Sequence, residues 1–257
     1  MFGDISQATI FFLILAAFSA GLVDAIAGGG GLIQLPALLI GLPQASTVEV
    51  LGTNKVASIF GTSASALMYR RSVKTDAKFL ASMAIPAFFG SVLGALSASK
   101  IPTQSMRPIV FILLVAVAVY TWRKPDLGSM EQLRHATKKR FSISALAGVV
   151  IGFYDGIFGP GTGSFLMLIL VASLGYAFIT ASAIAKVVNV ATNVGAIMVF
   201  GINGAVLWQI GIILGVANIS GAVLGARLAI KGGSTLVRKV FLLVTVALIV
   251  KVGIATF

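Results

Sequence analysis

Gly21-Leu-Val-Asp24-Ala-Ile-Ala-Gly28-Gly29-Gly30-Gly31 and Gly152-Phe-Tyr-Asp155-Gly-Ile-Phe-Gly159-Pro160-Gly161-Thr162-Gly163 are one passage written twice, 131 residues apart. Each closes an apolar run, places an aspartate near its end and then breaks on glycines. A glycine run does not sustain a helix, and Pro160 lacks a backbone donor. The same offset sets Lys55-Val56 on Lys186-Val187, and Gly90 and Gly94 on Gly221 and Gly225. Val92-Leu93 falls on Val223-Leu224, Lys100 on Lys231 and Arg107 on Arg238. A gapless register from residue 21 to 107 describes a chain made from two copies of one unit.

The medium in which those copies fold follows from composition. Of 257 residues, 58% are hydrophobic and only 10% charged, against about 25% charged in a soluble domain. Apolar segments fall near 5–23, 31–42, 48–69, 79–99, 108–122, 141–158, 164–175, 178–200, 206–230 and 236–256. A span of about 20 residues matches the hydrocarbon thickness, and no alternating strands of barrel type are present. The expectation is an all-α polytopic membrane protein of about 8–10 membrane segments, each copy carrying a glycine-broken, discontinuous or re-entrant helix. The first apolar run lacks a basic region before it and reads as a membrane segment, not a cleaved signal.

The formal charge of +12 sits in short loops and not in an aromatic-interleaved patch, so nucleic acid is not an expected partner. There is no cysteine, and the single histidine, His135, has no ligand-spaced neighbour. Neither a metal nor any other cofactor is therefore expected. The polar stretch 123–140 divides a first repeat (1–122) from a second (141–257). Basic loops at 69–78, at this linker and at 231–239 are cytoplasmic by the positive-inside rule. The counterpart of the first, 200–205, carries no charge and reads as external. Corresponding loops thus face opposite sides, which makes the repeats inverted and puts both termini outside. Tyr69, Tyr120, Trp122 and Trp208 fall where interfacial aromatics are expected, and Arg227 where a basic side chain can snorkel.

Backbone broken at membrane depth is tolerated when it is buried in protein or lines a wet cavity. A helix that starts after such a break offers free N–H groups and a positive dipole end to an anion. On that basis Gly28, Gly29, Gly30, Gly31, Gly159, Gly161, Thr162 and Gly163 are candidate substrate-binding positions. Gly90, Gly94, Gly221 and Gly225 are assigned instead to helix packing, and such small-residue faces also offer a homo-oligomer contact. Lys55 and Lys186 lie about 12 Å into their segments. An ionisable residue at that depth is costly and usually has a use. Asn54, Asn189 and Asn193 surround them and complete a lining suited to a small oxyanion. The competing reading pairs Lys55 with Asp24 and Lys186 with Asp155 as structural ion pairs. Both readings meet if an aspartate takes a proton as the anion moves, which marks Asp24 and Asp155 as candidate proton-coupling residues.

The runs Ala27-Gly-Gly-Gly-Gly-Leu-Ile-Gln-Leu-Pro36-Ala-Leu and Gly52-Thr-Asn54-Lys55 resemble the first-half signature of the sulfite exporter TauE/SafE family. Gly152-Phe-Tyr-Asp155-Gly-Ile-Phe-Gly159-Pro-Gly161-Thr-Gly163 with Ala185-Lys186-Val-Val-Asn189 resembles its second-half signature. The resemblance implies a transporter in the cytoplasmic membrane for sulfite, sulfoacetate or other sulfonates, and no enzyme. The residues alone leave two other readings open. One is a passive anion channel built on the same cradle; the other is an intramembrane enzyme using the two aspartates.

Overall fold

The computed structural model describes residues 6–98 and 128–256. The expected segment 108–122, the charges at Lys100, Arg107, Arg123 and Lys124, and the aromatics Tyr120 and Trp122 lie outside the described residues. Every regular element among the described residues is helical. The first repeat supplies α1 (Gln7–Ala27), α2 (Gly31–Gly41), α3 (Thr47–Ser72) and α4 (Ala77–Ser97). The second supplies α5 (Thr137–Ile157), α6 (Thr162–Leu168) with a π-helical turn (Ile169–Ser173), α7 (Phe178–Ile202) and α8 (Trp208–Thr256). α8 bends at Gly233, whose backbone (φ 61°, ψ −163°) is not helical, and so becomes two arms. α5 begins at Thr137, inside the stretch assigned to the linker.

Shifted by 131 residues, the start of each helix in the first repeat lands within one residue of its counterpart. Local chemistry explains the starts. Ser46 and Glu49 form a capping box on α3, and Ser6 and Asp76 cap α1 and α4. α1, α4, α5, α7 and the Trp208–Ala247 part of α8 are long and apolar enough to cross a membrane. α3 has 26 residues, but it carries Glu49, Lys55, Arg70 and Arg71. α2, with 11 residues, reaches about half the thickness of a bilayer.

Glycines fix which helices meet. A Cβ on Gly90 would lie 2.4 Å from Val149 O, and one on Gly94 2.1 Å from Phe153 O. One on Gly221 would lie 1.9 Å from Phe18 O, and one on Gly225 2.4 Å from Leu22 O. These are repeat-related contacts, and all are close backbone crossings of the small-residue type. In both interfaces the residue numbers rise together, so α4 runs parallel to α5 and α1 parallel to the first arm of α8. α2 folds back along α1, with Gly41 against Leu13. Thr62 and Tyr69 of α3 lie against Asp24 and Ala25 of α1 in rising order, so those two helices run the same way. A four-residue connection, 73–76, makes α3 and α4 antiparallel neighbours, so α5, parallel to α4, runs opposite to its counterpart α1.

The aromatics divide. Trp208 is exposed, whereas Tyr69 is fully buried and donates a hydrogen bond to Ala25 O at 2.9 Å. Tyr69 is thus no belt residue: it reaches inward to a backbone acceptor at the end of α1.

Gly94→Ala overpacks the α4–α5 crossing and is expected to destabilise the purified protein by about 1–3 kcal/mol. Leu96→Ala, at an exposed position of the same helix, stays within about 0.5 kcal/mol; thermal unfolding in detergent measures both. Because the chain holds no cysteine, single Lys74→Cys and Asn203→Cys variants report the ends of α3 and α7. A membrane-impermeant maleimide is expected to label them from opposite faces of sealed vesicles.

Candidate functional site

The glycine breaks bring the ends of α1 and α5 to the middle of the molecule. At the first break Gly28 adopts φ 77° and closes α1 through Gly28 N–H to Asp24 O at 2.8 Å, a left-handed cap. At the second, Gly159 and Gly161 adopt φ 90° and 84°. The two tips touch, since a Cβ on Gly28 would fall 2.4 Å from the backbone of Gly163. Side chains there are sterically impossible as well as conformationally strained.

A helix that ends in a dry interior leaves carbonyls that water cannot satisfy. Around the end of α1 they are met by hydroxyls from three other helices. Tyr69 of α3 donates to Ala25 O, Ser182 of α7 to Ile26 O at 3.3 Å, and Ser164 of α6 to Ala27 O at 2.9 Å. The second break is held more locally, by Tyr154 Oη on Pro160 O and by Thr162.

Between the tips stand two ion pairs. Lys55 Nζ lies 2.7 Å from Asp155 Oδ2, and Lys186 Nζ lies 2.8 Å from Asp24 Oδ2. The pairing crosses the repeats, which corrects the expectation of Lys55 with Asp24 and Lys186 with Asp155. The reason is topological: α1 and α5 enter from opposite directions, and each tip meets the lysine helix of the other half. Exchanging the halves maps one pair onto the other. Thr162 Oγ1 stands 2.7 Å from Asp155 Oδ1 and 2.6 Å from Gly159 O, so its one proton serves either acceptor. Thr62 Oγ1 is 3.5 Å from Asp24 Oδ2.

A cavity of about 30 Å³ lies against these groups, room for about one water molecule. Its wall contains twelve of the residues singled out from sequence: Asp24, Gly28, Gly31, Asn54, Lys55, Asp155, Gly159, Gly161, Thr162, Gly163, Asn189 and Asn193. Three others do not face it. Gly29 backs onto Val244 of α8, Gly30 packs on Ala20 O and Asp24, and Lys186 is sealed in the interior at 0% exposure. Thr62 lines the cavity although sequence reasoning passed it by. Its signal was available, because Thr62 is the repeat counterpart of Asn193. Tyr69, Ser164 and Ser182 were missed for a different reason: nothing in a sequence marks a hydroxyl that will meet a helix end from another element.

The lining is polar or glycine throughout; Lys55 and the two carboxylates on it, with Lys186 behind Asp24, sum to zero charge. Such a site can exchange an internal carboxylate for an external anion without leaving a lysine bare.

The model of the family described as sulfite exporter TauE/SafE matches residues 13–252. The chain is 40% identical over 249 residues to the "Probable membrane transporter protein ORF9" of Sinorhizobium sp, covering 96% of this chain and 94% of that one. It is 36% identical to a "Probable membrane transporter protein" of Haemophilus influenzae, with 91% of each chain covered. It is 34% identical to "Probable membrane transporter protein YfcA" of Escherichia coli K12, covering 96% and 90%. No solved structure matches.

Double-mutant cycles test the crossed pairing. Lys55→Met alone strands a buried carboxylate and is expected to remove about 3–5 kcal/mol of stability. Adding Asp155→Leu restores most of it, whereas adding Asp24→Leu does not. Recovery with Asp24→Leu in place of Asp155→Leu would mean that the pairs form within the halves.

Proposed function

The chain belongs to the sulfite exporter TauE/SafE family of membrane transporters, and we propose that it moves a small oxyanion, sulfite or an organosulfonate, across the cytoplasmic membrane by alternating access. The observation that carries this reading is the crossed pair of buried ion pairs at the meeting point of two broken helices. A lysine at that depth costs at least about 2.5–3.5 kcal/mol to insert, and here each one is held neutral by a carboxylate. An arriving oxyanion offers a lysine the same two-oxygen partner that the aspartate does. The displaced carboxylate, left in a dry cavity beside an anion, is neutralised by taking a proton. Anion and proton then travel together, and the site stays neutral when loaded and when unloaded.

The cavity size favours a carrier over a passive channel. Room for about one water cannot hold an anion of four heavy atoms, so loading requires an ion pair to part and the tips to move, which suits a carrier. The opposite run of α1 and α5 supports inverted repeats, the architecture in which one site is exposed alternately to either side. The basic loop at 69–78 supports a cytoplasmic end of α3 and an external N-terminus.

Proteoliposomes loaded with labelled sulfite, and in parallel with a panel of sulfonates, test the reading. The expected result is saturable flux that depends on a pH gradient and is stimulated by unlabelled anion on the far side. Flux that rises linearly with concentration and shows no trans-stimulation would identify a channel instead. Absence of flux for every anion in the panel would overturn the substrate class.

A further inference from the structure

The two ion pairs are related by the repeat, yet their surroundings differ in access, lining and anchorage. We propose that Lys55–Asp155 is the pair that opens to receive the anion, with Asp155 taking the proton, and that Lys186–Asp24 is a fixed strut. This rests on the anion-carrying reading above and assigns its steps to one half of the site.

The first ground is access. Lys55 Nζ stands at the cavity, so close to the second break that a Cβ on Gly159 would lie 2.8 Å from it. Lys186 has no face on the cavity at all, being fully buried behind Asp24. Asp24 is the more exposed carboxylate, 18% against 5% for Asp155, but an anion must reach a cation, and only Lys55 is within reach.

The second ground is the lining. Asn54 is buried against the cavity, and its side-chain oxygen has no hydrogen-bond partner; that oxygen accepts only and is completed by a water, while the amide N–H2 is the group that can donate to an anion. Its repeat counterpart is Ala185, which offers nothing. Thr162 likewise has Gly31 as counterpart. The Lys55 pair therefore has a buried amide and the close Thr162 hydroxyl beside it, whereas the Lys186 pair has only the longer Thr62 contact, 3.5 Å from Asp24 Oδ2.

The third ground is anchorage. The α1 tip, which carries Asp24, is tied by Tyr69, Ser164 and Ser182. The residues in the corresponding places around α5 are Phe200, Ile33 and Leu51, none of which can donate. The α5 tip is held by Tyr154 and by the single hydroxyl proton of Thr162, shared between Asp155 Oδ1 and Gly159 O. When Asp155 is protonated on Oδ1 its O–H donates to Thr162 Oγ1, and the Thr162 proton turns to Gly159 O. The state of Asp155 is thereby read by the backbone of the break itself. Titratable groups facing Asp155 are Lys55 of α3 and, across the cavity, Asp24, already paired with Lys186 of α7. Its neighbour Tyr154 is engaged with Pro160 O, and α4 and α6 bring no charged side chain to this depth.

The experiment compares two double variants, Lys55→Met/Asp155→Leu and Lys186→Met/Asp24→Leu, with Asp155→Asn and the wild type. Each is reconstituted for flux of sulfite and methanesulfonate, and hydrogen–deuterium exchange is followed at 24–31 and 155–164. Lys186→Met/Asp24→Leu is expected to fold and to lose at least about tenfold less flux than Lys55→Met/Asp155→Leu, with the pH dependence of the remaining flux retained, as apolar replacement of a structural pair allows. Lys55→Met/Asp155→Leu folds but loses flux by about a hundredfold or more. Asp155→Asn fixes the neutral carboxyl, so methanesulfonate flux loses its pH dependence and exchange at 155–164 rises about tenfold. Equal loss of flux in both double variants, or faster exchange at 24–31 than at 155–164 in the wild type, would overturn the assignment. If the wild type moved neither anion, the functional reading would fail by itself. The exchange pattern would still decide whether the two tips are held unequally.

Discussion

Charge neutrality in the interior is the constraint on which this molecule turns. Two lysines and two aspartates lie where an unpaired charge would be prohibitive, and each is neutralised by the opposite half of the chain. Neither repeat closes its own electrostatics. A lone copy would bury Lys55 without Asp155 and Asp24 without Lys186, so the halves require one another at the centre as well as along the α1–α8 and α4–α5 crossings. Buried ion pairs are weak contributors to stability but severe when broken, so they enforce the crossed arrangement more than they stabilise it.

A second constraint acts on the backbone. To bring aspartates to the centre, α1 and α5 end there, and a helix end away from water must have its carbonyls met. The first repeat solves this with hydroxyls borrowed from α3, α6 and α7. The second uses its own glycines, Tyr154 and Thr162. Gly28 is doubly determined, by a left-handed dihedral and by tip-to-tip contact that leaves no volume for a side chain; Gly159 and Gly161 are required by their left-handed dihedrals and Gly163 by its contact with Gly28. Close packing at Gly90, Gly94, Gly221 and Gly225 is the other half of the same economy: it draws the helices near enough for short side chains to reach a neighbouring backbone.

Symmetry in the fold and asymmetry in the site are compatible because they reside on different atoms. Helix starts, glycine crossings and the charged pairs repeat at one offset. The hydroxyls and amides around them do not: Thr162 answers to Gly31, Asn54 to Ala185 and Tyr69 to Phe200. A duplicated scaffold thus presents two chemically distinct half-sites, one anchored and one held by a shared proton.

The sequence by itself determined the membrane class, the two copies, the position of both breaks and nearly all of the residues that meet at the cavity. Each of those is written in local terms: apolar length, a constant offset, or a residue type that a helix or a bilayer does not tolerate without a reason. What only the tertiary structure decided is who meets whom. Lys55 is equally distant in principle from either aspartate until the directions of α1 and α5 are known, and the direction selects Asp155. Gly29, Gly30 and Lys186 belong to the right motifs but point away from the cavity, because a tight turn and a helix face each distribute neighbours over different sides. Tyr69 has the residue type and position of an interfacial aromatic, and only the packed end of α1 turns it inward. Partner choice and facing depend on the relative placement of elements far apart in the chain, which no local pattern encodes.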